Sequence, residues 1–260
     1  MSTKTFISEN KDRIFKELFD LIRIPGVSAH QHRQPEIRQT AEFWKKLLLQ
    51  AGVDHAEIME SKGNPVVFAS KYLQDDYPTI LVYGHYDVMP AEPLELWTSP
   101  PFEAEIRDGK IYARGADDAK GQSFMHAKAF EYLVSTNQLQ CNVKFLIEGE
   151  EEIGSPSLEN FCEQHKELLK CDTILVSDTS MLSAETPSIT TGLRGLAYWQ
   201  LELTGANRDL HSGIFGGAVA NPVNELTKIL ASLTDTKGRI TIPGFYDQVE
   251  TLSAREKSLI

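Results

Sequence analysis

Thr79-Ile80-Leu81-Val82-Tyr83-Gly84-His85-Tyr86-Asp87-Val88 runs from a β-rich apolar stretch into a histidine and an aspartate two positions apart. The apolar half predicts a buried strand, and His85 falls where that strand ends. Three other short apolar runs have the same character: Pro65 to Ser70, Val143 to Glu148 and Thr173 to Ser177. Helical stretches such as Gly121 to Ser135 separate some of them. Two amphipathic helices precede the set, one through Ile14, Leu18, Phe19 and Ile22, the other from Thr40 to Gln50 and closed by Gly52. Strands separated by helices predict an α/β domain with a largely parallel sheet flanked by helices. In such a sheet, ligand sites lie beyond the carboxyl ends of the strands. His85, Glu151, Glu152 and Asp178 all fall just after such runs.

After Asp178 the pattern changes. Ser188 to Gly205 alternates in strand fashion through Leu196, Tyr198, Leu201 and Leu203, and a helix is expected from Asn221-Pro222 through Leu233. These predict an α/β domain over 1–187, the part that carries the candidate site residues up to Asp178, and the opening of an α+β domain over 188–260. The 260 residues are 41% hydrophobic and 24% charged, which suits a globular protein rather than a disordered one. A net charge of -11 argues against nucleic acid or an anionic membrane as partner, because phosphates would be repelled. A small molecule or peptide fits better. Cys141, Cys162 and Cys171 form no CxxC pair and are expected to be reduced. The first twenty residues lack an apolar leader, and no run of about 18 apolar residues occurs, so a cytoplasmic protein is expected.

On a strand, His85 and Asp87 share a face, so the carboxylate can hold one imidazole nitrogen while the other binds a metal. Alone, the tetrapeptide reads equally well as a polar turn. Asp118, in Arg114-Gly115-Ala116-Asp117-Asp118-Ala119-Lys120-Gly121, lies in a loop feeding a helix and is the candidate to bridge two ions. A solvated acidic helix start is the plainer reading. Glu148, Glu150, Glu151 and Glu152 crowd five positions, where repulsion is costly unless cations offset it. Adjacent carboxylates there could divide the labour, with Glu152 as a ligand and Glu151 as general base for a metal-bound water. Asp178 is placed to share an ion with His85. His211, in Asp209-Leu210-His211-Ser212-Gly213, reads either as a donor to a developing oxyanion or as a turn histidine bonded to its own loop.

Taken in order, GHYDV, RGADDAKG, EGEEEIGS, VSDTS, TTGLRG and DLHSGIFGG resemble the M20 family of di-zinc peptidases, in particular its carnosinase-like dipeptidase branch. The resemblance implies that His85 and Asp178 hold one ion, Asp118 bridges, Glu152 holds the other ion, Glu151 is the base and Asp87 orients His85. It implies zinc, with manganese or cobalt as alternatives for this donor set. It also implies a cis peptide at Asp118-Ala119, and a homodimer formed through the second domain that carries His211 to the partner's site. The expected reaction is hydrolysis of the amide bond of a dipeptide or small peptide. A deacylase or carboxypeptidase acting on N-acyl amino acids, or a non-catalytic fragment, are the alternatives.

One feature departs from that family. Its members run longer and place a last histidine ligand near their C-terminus. The histidines left over here, His30, His32, His55, His126 and His165, fall in loops or helical stretches and are expected to be solvated or packed. The chain is therefore expected to be the N-terminal portion of a longer protein, with an incomplete second domain and an incomplete second ion site.

Overall fold

Leu18, Leu21 and Ile22 are buried on the inner face of α1, Thr3–Ile22, whose first turn is capped by the Ser2 side chain accepting the N–H of Thr5. The computed structural model describes residues 1–183, 185–186, 188–190 and 192–258. They fall into two compact units, Met1–Thr190 and Thr191–Ile260. Pro187, where the expected domain boundary falls, Thr191 of the TTGLRG motif and Ile260 lie outside the described residues.

In the first unit, α2 spans Gln34–Ala51 and begins before the expected Thr40, with Pro35 in its first turn and Ile37 adding one buried residue to its inner face. It stops at Gly52, which takes φ 105° and donates its N–H to Leu48 O and Leu49 O; a side chain there would be strained. The strands and helices that follow are β1 His55–Met59, β2 Val66–Lys71, β3 Thr79–His85, β4 Glu105–Arg107, β5 Lys110–Tyr112, α3 Lys120–Ser135, β6 Asn142–Glu148, α4 Leu158–Gln164, α5 Lys166–Leu169 and β7 Thr173–Val176.

The main sheet has the order β1-β2-β6-β3-β7, and β4 and β5 form a separate hairpin. β3 runs parallel to β6, with His85 opposite Glu148, and parallel to β7, with Tyr83 opposite Val176. β2 is antiparallel to both of its neighbours, so the other four strands point one way and the sheet is mostly parallel. β1 and the β4–β5 hairpin were not legible in the sequence, since neither contains an apolar run; pairing creates them.

Period-2 alternation sends the two faces of the strands into two cores. Val67, Ala69, Val82, Phe145 and Ile147 face α1, α2 and α3, where Trp44 and Phe130 are packed. Val66, Phe68, Leu81 and Leu146 face Phe161 and Leu169. Each fully buried side chain of this size contributes roughly 1.5–3 kcal/mol. With both faces of the central strands covered and only the edge strand β7 exposed, the polar chemistry lies at the strand ends. Because β3, β6 and β7 are parallel, their carboxyl ends lie on one edge, which places His85, Glu151, Glu152 and Asp178 on that side.

In the second unit, Asn221 caps α7, Pro222–Ser232, by accepting the N–H of Val223 and Asn224. Shorter helices are α6, Ser212–Phe215, and α8, Ala254–Lys257. The strand expected over Ser188 to Gly205 is not formed among the described residues, and Leu196 and Tyr198 are 92% and 89% exposed. Alternation supplies a face but no ladder, and the described part of this unit offers these residues no partner strand. Among the described residues no helix is long and apolar enough to cross a membrane.

Candidate metal centre

His85 is the last residue of β3 and is fully buried. Two close contacts set its place. Gly84 lies against α3 so tightly that a Cβ would fall on Ser123 Oγ. Tyr86 donates its N–H to Glu148 O at 2.8 Å and its hydroxyl to Pro65 O at 2.6 Å. Its ring covers Gly149, where any Cβ would overlap it.

The ring of His85 has two different sides. Nδ1 stands 3.1 Å from the carbonyl oxygen and 3.3 Å from Oδ1 of Asp87. Nε2 faces Asp118 Oδ1 at 3.3 Å and Asp178 Oδ2 at 3.6 Å. Although buried, Nε2 has no hydrogen-bond partner. One ligand atom each from His85, Asp118 and Asp178 lies within 4.8 Å of the others. Two ligands at 2.0–2.1 Å from a tetrahedral ion are roughly 3.3 Å apart, close to these gaps. A buried imidazole nitrogen left unpaired between two carboxylates fits a divalent cation better than it fits a polar turn.

Asp118 comes from the Arg114–Ala119 loop, where Gly115 takes φ 83° and the Asp118-Ala119 peptide is cis, as expected. Only one of the two neighbouring aspartates enters the cluster. Asp117 instead lines a groove of about 530 Å³ with Trp97 and Tyr112. Directly after the loop, Lys120 is buried and donates from Nζ to Leu21 O at 3.0 Å and Ile24 O at 2.7 Å. Burial pulls its ammonium down to about 7.

The glutamates divide into two pairs, Glu148 with Glu150 and Glu151 with Glu152. Glu148 is buried and accepts from Tyr83 Oη at 2.5 Å and Ser155 Oγ at 2.8 Å. Glu150 is buried and accepts the N–H groups of Asn64 and Ser157. Those two therefore need no cation. Glu151 and Glu152 open a single 3₁₀ turn, and Asp87 accepts both of their N–H groups, at 3.3 and 3.1 Å. Glu152 Oε1 in return accepts the N–H of Met89 at 3.1 Å.

The protein's own charges are strongly coupled here. Burial first, then the Asp118 carboxylate, pushes Glu152 up to about 7. Burial also raises Glu151, with Asp178 and Asp87 adding to it against the pull of His85. Burial pushes the His85 imidazole down, but Asp87, Asp178 and Glu151 outweigh it and lift it to about 9.

Asp178 follows β7 and joins His85 as the order of motifs suggested. His126, expected to be solvated or packed, has its Nε2 hydrogen-bonded to Ser177 Oγ at 2.6 Å. No sequence signal points to that pair, which is 51 residues apart. His211 belongs to the second unit, where its Nδ1 accepts the N–H of Gly213 at 3.1 Å and caps α6.

Comparison with known proteins agrees with the motif reading. The model of peptidase family M20/M25/M40 matches residues 81–251. The chain is 37% identical to the Beta-Ala-His dipeptidase of Rattus norvegicus over 198 residues, 75% of this chain and 40% of that protein. It is 32% identical to the Cys-Gly metallodipeptidase dug1 of Schizosaccharomyces pombe over 266 residues, 97% of this chain and 56% of that one. Among solved structures, an M20 family metallo-carboxypeptidase from Sulfolobus solfataricus superposes with a TM-score of 0.79 at 36% identity, covering 95% of this chain and 55% of the other. The chain thus spans about half the length of the curated relatives it matches.

Proposed function

Because the chain belongs to peptidase family M20/M25/M40, we propose that it carries the metal-binding core of a dipeptidase, a hydrolase of the amide bond of dipeptides or other small peptides. The observation that carries this reading is the buried, unpartnered Nε2 of His85 facing the carboxylates of Asp118 and Asp178.

In this proposal His85 and Asp178 would hold one divalent ion, Glu152 would hold a second, and Asp118 would serve both. Zinc suits one imidazole with carboxylates, and manganese or cobalt suits it also. Bound ions supply Lewis acidity toward a scissile carbonyl and make water more acidic. Asp87 fixes the ring of His85 through Nδ1 and leaves Nε2 for the ligand role. Glu151, held by its N–H to the same aspartate, takes the proton of the attacking water and passes it to the leaving amine.

His211 is assigned the steadying of the oxyanion. Since Nδ1 accepts a hydrogen bond from Gly213, the neutral ring carries its proton on Nε2 and can donate from there. A cytoplasmic homodimer, formed through the second unit, belongs to the same proposal.

A second reading is a carboxypeptidase or deacylase acting on N-acyl amino acids. The likeness to the Sulfolobus solfataricus metallo-carboxypeptidase favours it. Metal counting by mass spectrometry on the purified chain, followed by assay of dipeptides, N-acyl amino acids and longer peptides with added zinc, separates the readings. Two ions with dipeptide turnover supports the first. Turnover of acylated amino acids or release of C-terminal residues supports the second, and ions without turnover, or one weak ion or none, describe an incomplete piece that is not catalytic by itself.

A further inference from the structure

We propose that His126 is a positioning residue for Asp178, acting through Ser177, so that α3 sets the spacing between two of the candidate ligands. The inference rests on Asp178 being a ligand, as proposed above.

The ladder between β7 and β3 ends at the pair Tyr83 and Val176. Ser177 and Asp178 therefore lie just past the last register pair of β7, which among the described residues is paired with β3 alone. A hydrogen bond between Ser177 Oγ and His126 Nε2 at 2.6 Å links this segment to the helix layer. Both partners are partly buried, which limits competition by water.

His126 lies on α3, and that helix begins at Lys120, two residues after Asp118. The first turn of α3 is itself fixed, because the buried Lys120 ammonium donates to Leu21 O and Ile24 O where α1 ends. One rigid helix thus holds Asp118 at its start and, six residues beyond Lys120, grips the residue before Asp178. A lost grip would let Asp178 Oδ2 drift from its place 3.6 Å from His85 Nε2. Metal sites tolerate little such drift, and loss of an orienting partner typically costs 10- to 100-fold in affinity.

The test is zinc affinity by competition with a chromophoric chelator, with the cobalt absorption spectrum as a second readout, on the full chain. His126→Ala, Ser177→Ala, the double variant and Asp178→Ala would be compared, each checked for fold by circular dichroism. Each single variant at 126 or 177 is expected to weaken zinc about tenfold. The double variant is expected to fall no more than ~3-fold below either single, because both remove one interaction. His126→Gln, which retains a donor, should recover most of the affinity. Should His126→Ala fail to fold, Ser177→Ala and His126→Gln carry the test. A merely structural role would lower the melting temperature and leave the affinity of the folded protein and its cobalt spectrum unchanged. That outcome, or losses that add in the double variant, overturns the inference. If Asp178→Ala itself binds zinc normally, the ligand assignment is at fault; if Asp178→Ala loses zinc and His126→Ala does not, only the positioning role fails.

Discussion

Asp87 Oδ2 accepts the backbone N–H of Glu152 at 3.1 Å, while Oδ1 of the same carboxylate stands 3.3 Å from His85 Nδ1. A single buried side chain therefore ties the end of β3 to the turn after β6. It orients the imidazole and the two glutamates together, so its loss should act on both sides of the site.

Asp87→Ala is accordingly expected to lower zinc affinity by roughly 10- to 100-fold. Asp87→Asn keeps one acceptor oxygen and should fall between that variant and the native chain. Chelator competition at neutral pH measures both. Native affinity in a folded Asp87→Ala would remove the orienting role.

Glu151→Ala should retain its metal content and lose turnover by a factor on the order of 10²–10⁴, the range for a positioned general base. Asp118→Ala should lose both. The check is metal per chain by mass spectrometry beside peptide hydrolysis, with unchanged kcat in Glu151→Ala as the result that would discard the assignment.

Metal binding should also stabilise the fold. At a free zinc concentration ~100 times Kd, linkage contributes about 2.7 kcal/mol. The melting temperature should rise on zinc addition, fall again with a chelator, and stay flat in Asp118→Ala. A flat response in the native chain would argue that the cluster of His85, Asp118 and Asp178 holds no ion.

Away from the site, Glu131 on α3 accepts from Arg13 on α1 at 2.6 Å and from Lys128 at 2.7 Å. Burial raises the Glu131 carboxyl, but these two cations outweigh it and hold it below its ordinary 4.5. With the folded value depressed, the unfolded chain binds the proton more readily. The contribution is thus complete above about pH 4.5 and is lost as pH falls through the folded value. Glu131→Gln should destabilise by ~1 kcal/mol at pH 7, given partial exposure of the network, and by nothing below the folded value. Thermal unfolding at the two pH values reads this difference, and an equal loss at both would contradict it.

Gly149→Ala introduces a methyl group where the Tyr86 ring already lies. Overpacking of this kind costs roughly 1–3 kcal/mol. Because Tyr86 lies between His85 and Asp87, zinc affinity should drop as well as the melting temperature; a lower melting temperature with native affinity would show that the ring moves without disturbing its neighbours.

The order of α1, α2, β2, β3, α3, β6 and β7 and the side on which the chemistry lies were legible in the sequence, because they depend on local pattern. Apolar runs of strand length between helical stretches dictate a sheet with covered faces, and polar residues then collect where the strands end. His85 and Asp178 follow from that rule; Asp118, in a loop that feeds α3, does not. Which carboxylates among near-identical neighbours face one another is a matter of register and side-chain direction. Glu148 and Glu150 are absorbed by Tyr83, Ser155, Asn64 and Ser157, and Asp117 turns toward Trp97 while Asp118 turns toward His85. The contact of His126 with Ser177 was equally invisible, since it joins a helix face to a strand end 51 residues away. Ser188 to Gly205 gives the opposite lesson: its alternation is plain, yet the described residues form no strand. A strand requires hydrogen bonds from another segment, so alternation along one chain sets a preference and only tertiary pairing makes the strand.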